Sequence, residues 1–294
     1  MVPAAGNGTA AAPIVAAVAA ASAAASAFAM PAAAAPVPPA HAAQAELERE
    51  FARVHRLHEE RRANPILAGA LTRLADWQAQ RLALTYADLK ADPRHADAVS
   101  FFQTDLYGGA DYSQRDSDIA RVVPIMVRML PERVIATIAE AMELNALSAE
   151  LDHALLARLP RADGHFSVAE YCKAYRRMGN RPARERQIRL IGNIGAALDV
   201  YVRKPLIRSA LTMMRAPARM AGFGVLHDFL DRGFNAFRRM DGAEYFLATV
   251  VARETALMDA MFAGETAPFT DPLAPAPGSP AGANAAAADP VRPS

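Results

Sequence analysis

Apolar residues recur at every third or fourth position along most of the chain between residues 43 and 263, which is the spacing of amphipathic helices. The segment 46–62 is an example, because it combines many charges with a narrow apolar stripe. That stripe consists of Leu47, Phe51, Val54 and Leu57. No segment alternates apolar and polar residues as a half-buried strand does. The pattern therefore predicts an all-α fold, a helical bundle of about nine to eleven helices.

Capping and proline signals divide this pattern into separate helices. Three prolines suit the first turn of a helix: Pro65, Pro182 and Pro205. Ser167 and Glu170 have the spacing of a capping box, which predicts a helix that begins after Ser167. Asp92-Pro93 predicts a further start, and Ser148 predicts that a helix restarts there.

The two ends of the chain differ in composition from its middle. Residues 1–42 and 264–294 are rich in alanine and proline, and no charged residue precedes Glu46. Low-complexity composition of this kind predicts a disordered leader and a disordered tail. An alanine-rich run in the leader imitates a signal peptide, but it lacks the Lys or Arg of a secretory segment. We expect one helical domain over 43–263, with a subdivision near 160–167 as the alternative.

The net charge of +1 conceals an uneven distribution of charge along the chain. Residues 46–172 contain 15 Lys and Arg against 20 Asp and Glu, whereas residues 173–219 contain 12 against 2. The chain has a single cysteine, Cys172, which excludes an intramolecular disulfide and fits a reducing compartment. The sequence thus predicts a cytoplasmic protein with no transmembrane segment and with a basic C-terminal half.

Arginines are densest between residues 176 and 189. The six are Arg176, Arg177, Arg181, Arg184, Arg186 and Arg189. Arginine binds carboxylates and phosphates through two parallel N–H groups. The tract could therefore bind either the acidic half of its own chain or an anionic partner. It could pair with the acidic N-terminal half, but neutralising that excess of five leaves about half of the positive charge unmatched.

We predict that the basic region 173–219, which contains this tract, docks an acidic protein partner or a second copy of the chain. The residues assigned to this surface are Arg176, Arg177, Arg181, Arg184 and Arg189. Nucleic acid is the less expected partner, because the tract lacks interleaved lysines, glycines and aromatic residues, and because the whole chain is close to neutral.

The stretch 100–109 reads as the end of a helix that is closed by two glycines. Its residues Phe101 and Phe102 add a large apolar surface, which is typical of a core helix that ends at a sharp turn. We call the stretch 100–109 the aromatic corner. The stretch resembles the Phe-Phe-Leu-Glu-Glu-Leu-Tyr signature of the FFLEELY-motif family of uncharacterised bacterial proteins. The positions assigned to the motif are Phe101, Phe102, Asp105, Leu106 and Tyr107.

The resemblance implies no chemistry, because that family has no established activity. This sequence also departs from the signature, since Gln103, Thr104 and Asp105 stand for Leu and the two Glu residues. Only Asp105 can then carry a charge. We interpret the motif as structural.

Patterns typical of metal or catalytic sites are incomplete. Glu150 and His153 form one Glu-x-x-His pair, but a di-metal bundle needs a second pair, and none occurs. His55 and His58 lie in a segment so charged that a solvated face explains them better. We predict no metal, no cofactor and no catalytic residue.

Cys172 has arginines and a lysine nearby, which would favour a reactive thiolate. A small apolar side chain packed beneath Tyr171 and Tyr175 explains its position without chemistry. Gly192 and Gly195 lie within a predicted helix, where small residues allow a neighbouring helix to approach closely.

The sequence therefore favours a non-enzymatic interaction module that uses the basic tract. The alternative is a bundle that binds a small ligand or metal, with catalytic use included, between the aromatic corner and the last helices. The two can be told apart by their buried charges. A ligand or active site should bring at least two carboxylates or histidines together in one pocket, and an interaction module should not.

Overall fold

The structure, a computed structural model, describes residues 40–103, 132–161 and 165–273. These ranges contain ten helices and no strand, so the predicted all-α fold is confirmed. In chain order the helices are α1 (Ala40–Ala63), α2 (Pro65–Thr85), α3 (Ala87–Ala91), α4 (Ala96–Phe101), α5 (Glu132–Leu156), α6 (Val168–Met178), α7 (Arg181–Val202), α8 (Pro205–Met220), α9 (Gly224–Arg239) and α10 (Glu244–Ala263). Within the described ranges, none of them is long and apolar enough to cross a membrane.

Most of the local start signals act as predicted. Pro65 opens α2, and the side chain of Asn64 caps that helix by accepting a hydrogen bond of 3.0 Å from the amide of Leu67. The capping box at α6 is complete: Ser167 Oγ accepts from the Glu170 amide at 3.3 Å, and the Glu170 carboxylate accepts from the Ser167 amide at 2.8 Å. Helices α7 and α8 also carry their prolines in the first turn.

Two start signals were wrong, because tertiary or local contacts use the side chains differently. Helix α5 runs without a break through Ser148, which is buried and accepts a hydrogen bond of 2.8 Å from Gln187. Helix α4 begins after His95 rather than at Asp92. The Asp92 carboxylate instead accepts from the amide of Arg94 at 2.9 Å and pairs with the His95 ring at 2.8 Å.

The helices assemble around α5 and α7. Helix α1 packs along α5, α7 packs against both α5 and α10, and α8 and α9 pack on each other. Gly195 permits the close approach of α7 to α10, because a Cβ atom at this position would overlap the side chain of Leu247. Gly192 faces Val251, which also lies on α10. A Cβ atom added at Gly192 would lie 3.3 Å from Val251 Cγ2. The two glycines thus have the packing role that the sequence predicted.

Two hydrophobic clusters make up the core. The larger contains Leu47, Ile138 and Phe229, and the smaller is built around Trp77, which stacks on Tyr171 with 4.5 Å between ring centroids. Both clusters draw residues from both sides of segment 160–167.

The described chain continues past Ala263, where the sequence analysis placed the end of the helical domain. Phe269 contacts the ring of Trp77, with 6.0 Å between centroids, and that of Tyr171, with 6.1 Å. Phe269 therefore forms part of the packing around the smaller cluster.

Candidate functional site

A cavity of about 140 Å³ lies between the two hydrophobic clusters. Six helices line it (α2, α4, α5, α6, α7 and α10), together with Tyr86, Phe102, Gln103 and Phe269. Several of these helices contribute residues three or four positions apart, so that one face of each helix meets the cavity. On α5, for example, these residues are Leu144, Ser148 and Asp152.

The lining combines apolar walls with a concentrated polar group. Its aliphatic and phenylalanine side chains include Leu82, Val99, Phe102, Ile191, Phe246, Leu247, Val250 and Leu257. Its polar side chains are Gln78, Arg81, Tyr86, Gln103, Ser148, Asp152, Tyr171, Tyr175, Arg184, Gln187 and Glu254. Apolar walls with a few convergent polar groups are typical of small-molecule sites.

Arg81 and Glu254 form a bidentate ion pair at the cavity. The two hydrogen bonds measure 2.7 and 3.1 Å, and Tyr86 donates a third to the same carboxylate at 2.8 Å. The side chains are only 13% and 18% exposed. Burial by itself would raise the pKa of Glu254, but the Arg81 charge and the hydrogen bonds from Arg81 and Tyr86 outweigh it and lower that pKa. Glu254 is therefore held as a carboxylate.

The pKa of Asp152 is shifted in the opposite direction from that of Glu254. Burial raises its pKa, and the Arg184 charge and a 3.1 Å hydrogen bond from the Gln78 amide only partly oppose the effect. Two carboxyl groups, Asp152 and Glu254, thus line one cavity with their pKa values shifted in opposite directions. Such pairs are typical of sites where one group holds a proton and the other a charge.

Arg184 is a buried cation, only 6% exposed. Its Nη1 donates to Gln187 Oε1 at 3.0 Å, and its guanidinium lies over the ring of Tyr175, 4.7 Å from the centroid. Its Nε and Nη2 atoms are buried and make no hydrogen bond to any residue that the structure describes. Because unsatisfied buried donors are costly, this edge of the guanidinium stands out among the polar groups of the cavity.

The predicted basic surface divides into three kinds of arginine. Arg176, Arg177 and Arg189 are exposed and form no ion pair within the described part of the chain. Arg181 is exposed but bonds to Glu185 at 2.9 Å and to Asp259 at 2.5 Å. Arg184, as described above, lines the cavity instead of the surface.

Other arginines of the basic region 173–219 form ion pairs within the chain. Arg186 holds Glu143 with two bonds of 2.8 and 2.5 Å, Arg203 binds Asp199 at 2.5 Å, and Arg219 binds Asp228 at 3.1 Å. Intramolecular pairing, which was the alternative interpretation of this basic region, thus accounts for four of its twelve Lys and Arg residues: Arg181, Arg186, Arg203 and Arg219.

The aromatic corner is described only in part. Phe101 is buried and stacks on Phe229, with 5.3 Å between centroids, and Phe102 packs 5.7 Å from Phe246 and lines the cavity. The remaining motif positions, Asp105, Leu106 and Tyr107, lie outside the described residues.

The smaller candidates find structural explanations. Cys172 is buried, and burial raises the pKa of its thiol to about 11, which keeps it protonated. Glu150 is held by Arg53 through two bonds of 2.7 and 2.5 Å. In the ranges that the structure covers, no three His, Cys, Asp or Glu residues are grouped so that they could hold a metal ion.

Sequence reasoning missed Arg81, Asp152 and Glu254 as site residues. One signal was present. Gln78 interrupts an otherwise apolar helix face that includes Leu74 and Leu82, and a polar residue in such a position needs a buried partner.

Comparison with known proteins places the chain in a family but assigns no activity. A family model with the description "Domain of unknown function (DUF8198)" matches residues 57–268. No curated protein and no solved structure matches the chain. The matched range includes every residue named above as lining the cavity except Phe269.

Proposed function

Because the chain belongs to this family of unknown function, we propose its function from the cavity alone: the protein binds a small organic molecule inside its helical bundle. The observation that carries the proposal is the convergence of Asp152, Glu254, Arg81 and Arg184 on one cavity with apolar walls. This convergence of buried charges is what the sequence analysis set as the mark of a ligand site. Charged side chains are rarely buried unless they are paired or functional.

The size of the cavity fits a ligand built around a single ring. A cavity of about 150 Å³ accepts benzene in other proteins, and the volume here is about 140 Å³. The walls provide both kinds of contact that such a ligand needs. Aliphatic side chains such as Leu247 and Val250 can cover a ring, and the polar group can orient it.

Benzamide is a suitable neutral probe, because it joins one ring to one polar group. We expect it to shift the methyl resonances of Leu82, Leu247 and Val250 in a saturable way when it is titrated into the full-length protein. Val250→Phe should abolish the shifts by filling the cavity. Val200→Phe is the matched control, because Val200 is 56% exposed and lies outside the cavity. Unchanged methyl resonances in the wild type, or equal binding by both variants, would contradict the proposal.

We propose docking of an acidic protein partner as a second function, restricted to the exposed arginines Arg176, Arg177 and Arg189. The supporting observation is that these three form no ion pair within the described residues. Binding of a polyglutamate peptide, followed by fluorescence anisotropy, should weaken as salt rises and should be lost when all three become Gln.

The control for this test removes three other exposed cations, Lys204, Arg208 and Arg215. Equal loss of binding in both triple variants would show that only total charge matters and would refute a local docking surface. Sedimentation velocity at low and high salt tests the related prediction of self-association through the same surface.

Two finer predictions accompany these proposals. The free, buried thiol of Cys172 supports a cytoplasmic location, because free cysteines persist in reducing compartments. Membership in the FFLEELY-motif family of bacterial proteins stays a prediction that rests on the resemblance of residues 101–107.

A further inference from the structure

The unpartnered edge of Arg184 has a specific shape. The Nε–H and one Nη2–H bond of a guanidinium point in parallel, which makes them a fork for the two oxygens of a carboxylate. In Arg184 the third nitrogen is already used, because Nη1 donates to Gln187. What remains is the edge formed by Nε and Nη2, which can bind an anion through two hydrogen bonds and makes none to a described residue.

Two other arginines of this protein show which group the Nε–Nη2 edge of a guanidinium binds. Arg53 holds Glu150 with its Nε and Nη2 atoms, at 2.7 and 2.5 Å. Arg186, two residues after Arg184 on α7, holds Glu143 with the same two atoms, at 2.8 and 2.5 Å. In both cases the acceptor is a single carboxylate.

No described side chain supplies that carboxylate to Arg184. Glu254 is occupied by Arg81 and Tyr86, and Asp152 accepts from Gln78 without reaching Arg184 Nε or Nη2. The surroundings nevertheless hold the guanidinium in place, through the hydrogen bond to Gln187 and the ring of Tyr175. Gln187 is in turn fixed by Ser148 at 2.8 Å. The fork is thus held ready for an acceptor that the described residues do not supply.

We infer that the ligand is a small monocarboxylic acid, whose carboxylate binds the Nε and Nη2 atoms of Arg184 and whose apolar body lies against the aliphatic walls of the cavity. The inference rests on the proposed function, because it names the class of molecule that the cavity takes. A carboxylate neutralises the buried cation, which a neutral ligand does not.

Phosphate is the other anion that a guanidinium fork recognises. The cavity suits it less well, because its walls are largely apolar and its polar group already contains the Glu254 carboxylate. A phosphate group would bring up to two negative charges next to that carboxylate. The experiment therefore includes inorganic phosphate as a probe, to test whether the cavity prefers a carboxylate or a phosphate.

The experiment compares benzoate with benzamide, its neutral counterpart of the same shape, in the full-length protein. Calorimetric titration should show benzoate binding at least about tenfold more tightly, as expected for a charge-assisted pair of hydrogen bonds. Inorganic phosphate should bind more weakly than benzoate. Arg184→Gln should reduce the benzoate-to-benzamide ratio to about one. Arg189→Gln, on the same helix but exposed, should leave the ratio unchanged.

A measurement on the wild type keeps the test decisive if Arg184→Gln does not fold. With ¹⁵N-labelled arginine, benzoate should move the Arg184 Nε–H resonance downfield, and benzamide should move it much less. The inference is overturned if benzoate binds no tighter than benzamide, if phosphate binds tighter than benzoate, or if Arg184→Gln retains the benzoate preference.

The outcomes also separate the inference from the proposed function. Binding of benzamide without a preference for benzoate would leave the ligand cavity standing and would refute only the assignment of a carboxylate. Failure of both probes to bind the wild type would overturn the proposed function and the inference together.

Discussion

Removal of the charge at Glu254 should destabilise the protein far more than removal of a matched charge at the surface. Glu254→Gln leaves the Arg81 guanidinium without its carboxylate, in a site where the two side chains are 13% and 18% exposed. Breaking a buried ion pair from one side costs about 3–5 kcal/mol. Because the pair retains some contact with solvent, we expect a loss near the lower end, about 3 kcal/mol.

The matched control is the neighbouring pair of Arg253 and Asp88. It is also bidentate, with bonds of 2.7 and 2.5 Å, but its side chains are 33% and 57% exposed. Exposed pairs contribute about 0–1 kcal/mol, so Asp88→Asn should cost less than about 1 kcal/mol. Urea denaturation followed by circular dichroism measures both losses. Equal losses in the two variants would refute the reasoning that burial decides the contribution.

The dependence on pH provides a second check on Glu254. The folded state lowers the pKa of Glu254, because the Arg81 charge and its hydrogen bonds outweigh burial. A carboxyl group of this kind stabilises the fold fully above its ordinary pKa of 4.5, and the contribution is lost as the pH falls through the lower folded-state value. The stability difference between wild type and Glu254→Gln should therefore shrink below about pH 4.5. A difference that stays constant down to acid unfolding would contradict the assignment.

Three further predictions test the packing and the thiol. Gly195→Ala should destabilise by about 1–3 kcal/mol in thermal unfolding, because the added methyl group overlaps Leu247, and Gly192→Ala should cost less. Phe269→Ala should cost about 1–2 kcal/mol, since the ring packs on the smaller cluster without being fully buried. Cys172 should resist iodoacetamide at neutral pH in the folded protein and react on unfolding, because its pKa is raised to about 11.

Each of these predictions can fail in a recognisable way. Equal stability of the two glycine variants would show that α7 and α10 adjust their spacing freely. An unchanged midpoint for Phe269→Ala would show that residues 264–273 add nothing to the fold, in agreement with the boundary that composition predicted. Rapid alkylation of the folded protein would revive the interpretation of Cys172 as a reactive thiol.

The sequence predicted the features whose causes are local. The capping box of Ser167 and Glu170 involves residues three positions apart, and the proline at position 65 acts within its own helix turn, so composition and spacing suffice to find both signals. Ser148 shows the limit of this reasoning. A serine can cap a helix or sit inside one, and its contact with Gln187, a residue far away in sequence, decides between the two.

The candidate site could not be assembled from the sequence, because its members come from distant helices. Gln78, Asp152, Arg184 and Glu254 lie on α2, α5, α7 and α10. The spacing of residues places Gln78 on an apolar helix face, but it does not say which residue Gln78 meets. Arg184 belonged to a dense run of arginines, and charge alone cannot distinguish an arginine that turns inward from its neighbours Arg181 and Arg186.

The position of the cavity between two hydrophobic clusters also bears on how a molecule could reach it. Across this boundary the chain is joined in part by polar links, such as the pairs of Arg81 with Glu254 and of Gln78 with Asp152. Such links can exchange with water one at a time, whereas an apolar cluster separates only as a whole. A breathing motion along the boundary would therefore open a route of entry while both clusters stay intact. Amide hydrogen exchange should then be faster beside the cavity than in the centre of either cluster.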